Sequence, residues 1–292
     1  MQLPKRLFAA LLLTVFSPLA GLVSQSAQAQ VHAPRPWGMD MQPAANSLKQ
    51  GIIDLHNLVL VLITVITIFV AVLLVWVCVR YNEKRNPVPS QTSHHTGLEI
   101  AWTVLPVLIL VVMAIPSFRL IYYLDRTPDP DMTVKVTGHQ WYWQYTYPDN
   151  GDVDIESRYI RDEDLKPGQL RLLDVDNRMM IPVGKKIRIL SSSVDVIHSF
   201  FIPSLGVQRY AIPGRTIELW LTADKPGVYY GECNQICGPD HARMPIAVQA
   251  VSEADFKAWV AKNKKAASIA PAAAPIRMLA SAEQTAPQEI RR

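Results

Sequence analysis

Two long uncharged apolar runs are the feature that most constrains how this chain can fold. Residues 58–79 form a run of 22 residues without a charge, and residues 100–118 form a second run of 19. A helix rises 1.5 Å per residue, so each run can cross a hydrocarbon core about 30 Å thick. The two prolines of the second run do not exclude it, because membrane helices tolerate proline. We therefore predict a hairpin of transmembrane helices over 58–80 and 99–121.

Charged residues around the two runs give the hairpin an orientation. Basic residues cluster at the start of the connecting loop, 81–98, and basic loops stay in the cytoplasm. Residues 1–29 have a basic start, an apolar stretch and a final Ala-Gln-Ala, which is typical of a cleaved secretory signal peptide. Both arguments place two parts of the chain on the outer side of the membrane. These are the segment 30–57, which we predict to be largely irregular, and everything beyond the second helix.

The distribution of charge argues against binding to nucleic acid. The chain has 29 Lys and Arg against 25 Asp and Glu, but between Asp125 and Val260 there are 19 acidic and 15 basic residues. A nucleic-acid-binding protein concentrates basic residues on its folded domain. We therefore expect membrane lipid and protein partners, and no nucleic acid.

The stretch after the hairpin carries the pattern of a β domain, which we place at 125–262. Short segments with β-branched and aromatic residues alternate there with turn formers, which favours an antiparallel sandwich or barrel. The predicted strands are 132–137, 140–147, 170–174, 186–192, 196–202, 216–221, 227–231 and 246–251. Aromatic residues at every second position of 140–147 predict a packed face that includes Trp143 and Tyr145. A short helix is expected from the N-cap Ser252, and 263–292 is predicted to be a disordered tail.

The motif C-x3-C-x3-H-x2-M, formed by Cys233, Cys237, His241 and Met244, is the most informative part of the chain. Thiolates, imidazole and thioether are soft ligands, which select copper over hard cations. A second imidazole is available from His198, 35 residues before the first cysteine. A blue-copper site uses one cysteine and would leave the other unused, so we favour two coppers bridged by both thiolates.

Bridging would suit the motif to electron transfer. Two coppers that share one unpaired electron carry +3, and two thiolates reduce this to +1, so reduction changes the cluster only from +1 to 0. Such a closed site leaves no open position for substrate. A disulfide between the cysteines, or zinc on two Cys and two His, are the alternatives.

Six further motifs follow one another in a fixed order: GHQWYW from residue 138, VDNR from 175, DVIHS from 195, AIPGR from 211, YYGEC from 229 and MPI from 244. With them the chain resembles subunit II of the haem-copper cytochrome c oxidases over about 40–260. The resemblance implies an α+β membrane protein, in which a two-helix transmembrane hairpin precedes an all-β cupredoxin-like Greek-key barrel. It also implies a multi-pass protein of the bacterial inner membrane with its copper domain on the periplasmic side.

The resemblance further implies a dinuclear copper A centre. Its ligands would be His198, Cys233, Cys237, His241 and Met244, together with the backbone carbonyl of Gln235. The family commonly has Glu at position 235, and that side chain also reaches a magnesium ion at the interface with subunit I. An amide is a poorer ligand for a hard cation, so the resemblance leaves magnesium undecided here, and Glu232 is either a substitute ligand or a coincidence.

Other residues receive roles from the same resemblance. Trp141 matches the exposed residue through which electrons enter from cytochrome c, and Tyr142 is a second candidate. Asp176 and Asp195 match docking positions. Seven acids between 149 and 164 would attract a basic cytochrome, unless they are simply a solvated loop. Glu99 matches the mouth of the proton path called the K channel, with a carboxylate at a helix N-terminus as the alternative.

The resulting hypothesis is a subunit of a membrane-bound cytochrome c oxidase that accepts electrons from reduced cytochrome c and passes them to haem in subunit I. Oxygen reduction to water, coupled to proton translocation, would reside in subunit I, and subunit III is a further expected partner. A membrane-anchored copper-delivery module is the alternative, but it should keep exchangeable, under-coordinated ligands. A quinol oxidase subunit II would share the fold and lack the copper ligands.

Overall fold

The computed structural model describes residues 30–269, and its two longest helices form the predicted hairpin. Helix α1 spans Ser47–Arg80 and helix α2 spans Thr96–Asp125, and both are long and apolar enough to cross a membrane. Most of their large apolar side chains are exposed, as expected for surfaces that face lipid or other membrane subunits. The signal peptide predicted for 1–29 lies outside the described residues.

Helix α1 begins well before the apolar run that predicted it. The side chain of Asn46 accepts a hydrogen bond from the backbone N–H of Lys49 at 2.8 Å, so the helix is capped there. Residues 47–57, expected to be irregular, form its first turns, and strand β1, Gln30–His32, is a second ordered element of that segment. Hydropathy marks the part of a helix inside the membrane, whereas the cap marks where the helix starts.

The β domain contains ten further strands in two sheets. They are β2 Met132–His139, β3 Tyr142–Tyr147, β4 Val153–Ser157, β5 Met179–Pro182, β6 Ile187–Ser193, β7 His198–Ile202, β8 Val207–Ala211, β9 Ile217–Leu221, β10 Gly227–Cys233 and β11 Pro245–Val251. One sheet has the order β5-β11-β10-β7-β8, with β1 beside β10, and the other has the order β4-β3-β2-β6-β9. Buried apolar residues from both sheets form one continuous core.

Strand pairing differs from the antiparallel expectation in three places. The pairs β2–β6, β5–β11 and β1–β10 are parallel. The paired strands are distant in sequence, so the chain can return in the same direction through long connections. Turn signals in the sequence report local reversals of the chain and carry no information about such distant pairs.

The strand predictions hold for most of the domain and fail at one turn. Residues 170–174 form turns, because the Asp174 carboxylate folds back to accept the N–H of Leu170 at 3.0 Å. Strands β4, β5 and β8 were not predicted. All three are short; β4 and β8 carry polar residues at exposed positions, and β5 has only four residues and ends in proline. The packed aromatic face is confirmed: Trp143 and Tyr145 are fully buried.

Helix α3, Glu253–Ile269, closes the described part of the chain. The hydroxyl of Ser252 accepts the N–H of Asp255 at 3.1 Å, which confirms the predicted N-cap. Phe256 is buried, and its ring centroid lies 6.3 Å from that of Tyr147 in the core. The helix continues past residue 263 because the sequence there is rich in the strong helix formers Ala and Lys. The rest of the predicted tail, 270–292, lies outside the described residues.

A buried polar network connects strand β10 to the chain just before β5. The side chain of Asp174 is fully buried and accepts hydrogen bonds from the Tyr230 hydroxyl at 2.8 Å and from Arg178 Nη2 at 2.6 Å. Burial raises the pKa of Tyr230 and the Asp174 carboxylate raises it further, so the phenol stays protonated and donates. The carboxylate therefore has a partner for each oxygen.

We expect Tyr230→Phe to lower the free energy of unfolding by about 1.5–3 kcal/mol, because a buried charge loses a hydrogen bond. Tyr210→Phe is the matched control, since Tyr210 is 48% exposed and should contribute little. Denaturant unfolding followed by tryptophan fluorescence measures both variants. If Tyr230→Phe were as stable as Tyr210→Phe, the network would not stabilise the domain.

Candidate metal centre

Two neighbouring strands bring residues that are distant in sequence to the same end of one sheet. His198 is the first residue of β7 and Cys233 is the last residue of β10. The strands pair antiparallel, with Cys233 opposite Phe200. The loop after β10 then turns back into β11, and the N–H of Cys233 donates to the carbonyl of Met244 at 3.0 Å. This places the loop of the C-x3-C-x3-H-x2-M motif directly over His198.

The two cysteine sulfur atoms lie at the middle of this cluster. Sγ of Cys233 and Sγ of Cys237 are 3.9 Å apart. An imidazole lies near each sulfur: Nδ1 of His198 lies 4.0 Å from the Cys233 sulfur, and Nδ1 of His241 lies 3.5 Å from the Cys237 sulfur. Two imidazoles therefore flank the pair of thiols.

Two weaker donors complete the set, one beside each sulfur. The carbonyl oxygen of Gln235 lies 3.3 Å from Sγ of Cys233, and Sδ of Met244 lies 4.0 Å from Sγ of Cys237. The structure thus brings all six predicted donor atoms together. The two sulfur atoms lie at the centre of the set.

The cluster is buried, and its thiols are free. Cys233 is 4% exposed, Cys237 is 5% exposed and His198 is fully buried. The separation of the two sulfur atoms is almost twice the length of a disulfide bond, about 2.05 Å. The disulfide considered as an alternative is therefore not the arrangement in the structure.

The two thiols compete for a single negative charge. Burial is the largest effect and raises the pKa of both, but at Cys233 several hydrogen bonds, first of all the one with His198, together outweigh burial and lower the pKa. At Cys237 burial and the neighbouring Cys233 thiolate together raise the pKa. Two thiolates can coexist here only when positive charge lies between them, which is what a bound metal cation supplies.

Asp195 holds His198 in place from behind. Its Oδ1 lies 2.8 Å from Nε2 of His198, which leaves Nδ1 directed to the Cys233 sulfur. Burial on its own raises the pKa of Asp195, but hydrogen bonds, first of all with His198, outweigh it and lower the pKa. A carboxylate behind a ligating histidine fixes the ring and increases its basicity. Sequence reasoning gave Asp195 only a docking role, although its position three residues before His198 was a usable signal.

The end of β2 and the turn that follows it contact the cluster. A Cβ at Gly138 would lie 2.8 Å from Cδ2 of His198, so only glycine allows this approach. Gln140 Nε2 and Trp141 Nε1 both donate to the carbonyl of Cys237, at 2.8 and 3.2 Å. The partly exposed indole of Trp141 is therefore one hydrogen bond away from the backbone of a candidate ligand.

Tyr142 lies next to Trp141 in a stack at the surface. Its ring packs on His139, with centroids 4.4 Å apart, and the guanidinium of Arg158 lies 3.7 Å from its other side. Trp141 is thus hydrogen-bonded to the metal loop, whereas the contacts of Tyr142 are with His139 and Arg158.

Asp176 and the acidic stretch lie on the exposed surface. The Asp176 carboxylate accepts the backbone N–H groups of Arg158 and Asn177, each at 2.7 Å. Part of the stretch 149–164 is neutralised, since four of its acids form exposed ion pairs with arginines. The pairs are Glu156 with Arg158, Glu163 and Asp164 with Arg161, and Asp162 with Arg171.

Glu99 and Glu232 both lie away from the donor cluster. Glu99 is in the first turn of α2, at the end opposite the β domain, and its Oε1 accepts the N–H of His95 at 3.3 Å. This is the contact expected if Glu99 stabilises the N-terminus of α2, which is the alternative to the proton-path role. Glu232 is exposed between the buried residues Gly231 and Cys233, so it faces the other side of β10.

Two apolar helices followed by a two-sheet domain with a buried thiol–imidazole cluster define a membrane-anchored cupredoxin-like protein whose cluster is compatible with copper. The family model for the transmembrane domain of cytochrome c oxidase subunit II matches residues 34–120, and the model for its periplasmic domain matches 132–251. The chain belongs to the cytochrome c oxidase subunit II family. It is thus a subunit of a haem-copper oxidase complex.

Similar proteins extend over most of the chain. A probable cytochrome c oxidase subunit 2 of Rickettsia bellii is 49% identical over 251 residues, which cover 86% of this chain and 93% of that protein. The cytochrome c oxidase subunit 2 of Arabidopsis thaliana is 45% identical over 237 residues, 79% of this chain and 91% of that protein. The crystal structure of the periplasmic domain of subunit II from Bradyrhizobium japonicum is 48% identical. The match covers 48% of this chain and 99% of the Bradyrhizobium japonicum chain, with a TM-score of 0.46.

Replacing Asp195 and Asp176 in parallel separates ligand positioning from surface charge. We expect Asp195→Ala to weaken metal binding by about 10–100-fold, because His198 loses its orienting carboxylate. Asp176→Ala removes the same charge without touching a donor residue, so metal binding should stay as in the wild type. Competitive copper titration measures both, and equal affinities would contradict the positioning role.

Proposed function

We propose that this chain accepts electrons from reduced cytochrome c at a dinuclear copper A centre and delivers them to haem in subunit I. There oxygen is reduced to water, coupled to proton translocation. The observation that carries the proposal is the cluster of six donor atoms, two of them adjacent sulfur atoms and the other four within 4.0 Å of one of the sulfurs.

Copper fits this donor set better than zinc does. A tetrahedral zinc site gathers four ligands around one ion, but the donor atoms found within 4.8 Å of one another belong to His198, Cys233 and Cys237, with His241 outside that group. Thiolate and thioether donors also favour copper. When bound, two copper ions held by these donor residues would supply a one-electron carrier whose change of charge is shared over both metals.

The residues of the chain then hold the ligands and exclude water. Strands β7 and β10 fix His198 and Cys233, and Asp195 fixes the orientation of the His198 ring. The carbonyl of Cys237 is restrained by two hydrogen bonds from the β2–β3 turn. A closed donor set with little freedom to rearrange favours electron transfer and leaves no position for a substrate.

Electrons would reach this centre through Trp141. The indole is partly exposed, and its Nε1 donates to the Cys237 carbonyl at 3.2 Å, so the ring connects the surface with the metal loop. Tyr142, in its exposed stack, is the second candidate. Trp143 and Tyr145 are core residues and receive no such role.

Cytochrome c would dock around Trp141, where it is attracted by acidic residues. Asp176 is exposed and fits this role directly, while Asp195 contributes its charge together with its contact to His198. The acids of 149–164 outnumber the arginines that pair with them, so the surface stays negative. Long-range attraction of a basic partner follows from that charge.

The remaining roles are part of the same proposal. The copper domain would lie in the periplasm of a bacterium, with the hairpin packed against subunit I in the inner membrane and with subunit III as a further neighbour. Glu99 would lie at the mouth of the K channel. A copper-delivery module, the alternative function, is disfavoured because delivery needs exposed and exchangeable ligands, and Cys233, Cys237 and His198 are buried.

Electron paramagnetic resonance of the copper-loaded chain tests the centre directly. We expect two coppers per chain and a seven-line hyperfine pattern, because one electron is shared by two equivalent copper nuclei. Cys233→Ser and Cys237→Ser should each abolish this pattern, since a single bridge cannot keep the two metals in contact. Cys78→Ser is the control, because Cys78 lies in α1. A four-line spectrum of the wild type would overturn the dinuclear assignment.

The role of Trp141 can be separated from its hydrogen bond. Trp141→Phe should slow electron transfer within the complex with cytochrome c, while affinity and salt dependence stay nearly unchanged because no charge is removed. Gln140→Leu is the matched control, because it removes a hydrogen bond to the same Cys237 carbonyl and keeps the indole. Equal slowing in both variants, measured by flash photolysis, would assign the effect to the hydrogen bonds and not to the ring.

A further inference from the structure

The outer end of helix α1 is fastened to the β domain by one residue with two functions. Asn46 is 3% exposed, and its Oδ1 caps the helix by accepting the N–H of Lys49 at 2.8 Å. Its amide nitrogen donates to two carbonyls of the β domain, Leu205 at 3.1 Å and Thr222 at 2.7 Å. Serine, threonine or aspartate could cap the helix equally well, but only asparagine can also donate two N–H groups.

The two carbonyls lie just after strands of different sheets. Leu205 lies in the 3-10 turn Pro203–Leu205 that follows β7 of one sheet, and Thr222 directly follows β9 of the other. Ala45 adds two backbone hydrogen bonds, from its N–H to Ser204 at 3.0 Å and to its carbonyl from Asp224 at 3.2 Å. The start of the membrane helix is therefore attached to both layers of the domain at one end.

The backbones approach closely at this attachment. Gly206 has φ +69, and a Cβ built there would lie 2.9 Å from the backbone nitrogen of Lys49. A side chain at this position would push the helix away from the domain. Helix α2 adds contacts beside it: Trp220 Nε1 donates to the carbonyl of Tyr123 at 3.4 Å, and Arg209 pairs with Asp125 at 2.8 Å.

Strand β7 connects this attachment with the candidate metal centre. His198 is its first residue, and the turn that accepts from Asn46 follows its last residue, Ile202. A strand of five residues advances about 13 Å at 3.3 Å per residue. The attachment and the candidate metal centre therefore lie at the two ends of one strand, so the position of the helix against the turn sets the position of the whole centre.

We propose that Asn46 is a positioning residue for electron delivery: by joining α1 to both sheets, it sets the distance and orientation of the metal centre relative to the acceptor inside the membrane. The inference rests on the proposed function. Because tunnelling rates fall exponentially with distance, a looser attachment slows the step from the metal centre to haem. It leaves the metal ligands and the surface around Trp141 unchanged.

Asn46→Ser tests this in the assembled oxidase, because serine keeps a capping oxygen and loses both donors. Ser252→Ala is the matched control, since it removes the cap of α3, which does not join the hairpin. After flash reduction of the metal centre, we expect the rate to haem to fall several-fold in Asn46→Ser and to stay as in the wild type in Ser252→Ala. The copper spectrum and the rate of reduction by cytochrome c should be unchanged in both.

A pulsed dipolar measurement on the copper-loaded full chain provides the second readout. With a nitroxide at position 61 of α1 and Cys78 replaced by Ser, the distance distribution to the copper centre should broaden in Asn46→Ser only. An unchanged width and an unchanged rate to haem would overturn the role of Asn46, and equal slowing in the control would do the same. If the wild type itself showed no electron transfer from copper to haem, the proposed function would fail, whereas the width of the distribution would still test the attachment.

Discussion

Two cysteine sulfur atoms, 3.9 Å apart inside the domain, are the constraint on which the rest of the structure depends. Two thiolates so close repel each other, and burial disfavours both charges. A metal cation between them would remove this repulsion. The other donors must also be in place, because a buried donor that misses the metal remains unsatisfied. The surrounding strands and hydrogen bonds therefore act chiefly to hold donors.

The hydrogen-bond partners of the cluster show how this is done. Cys233 is held by pairing between β10 and its neighbours, His198 by the Asp195 carboxylate, and Cys237 through its carbonyl by Gln140 and Trp141. Each restraint comes from a different part of the sequence. A two-sheet domain suits this task, because it brings the ends of distant strands to one edge and keeps them rigid.

The donor residues were predictable because their spacing reflects one loop between two strands. The motif from Cys233 to Met244 is contiguous, so sequence alone reveals it, and His198, 35 residues before Cys233, was the one distant side-chain donor. The positioning residues are different: the spacing of Asp195 three residues before His198 suggests a contact, but its residue type does not separate it from a surface acid. The 2.8 Å contact with His198 establishes its orienting position.

The fold differs from the sequence prediction for the same reason: contacts between distant residues leave no local signal. Hydropathy located the membrane-spanning part of α1 but not its start, because Asn46 and the β domain, and not apolarity, determine where the helix begins. The parallel pairing of β2 with β6 escaped prediction because it joins strands separated by three others. Local sequence patterns predict helices and strands well. They do not predict the contacts between distant segments, which position most of the donor residues.

One turn serves both the metal loop and the surface where electrons would arrive. The N–H of Gln140 donates to Asp195 at 2.7 Å, its side-chain amide donates to the carbonyl of Cys237, and the neighbouring Trp141 donates to the same carbonyl. A partner protein that touches Trp141 therefore touches the restraints of the cluster as well. Under the proposed function, contact with cytochrome c and the positions of the candidate ligands would be coupled through these hydrogen bonds. The metal centre can be buried and still lie within one residue of the surface.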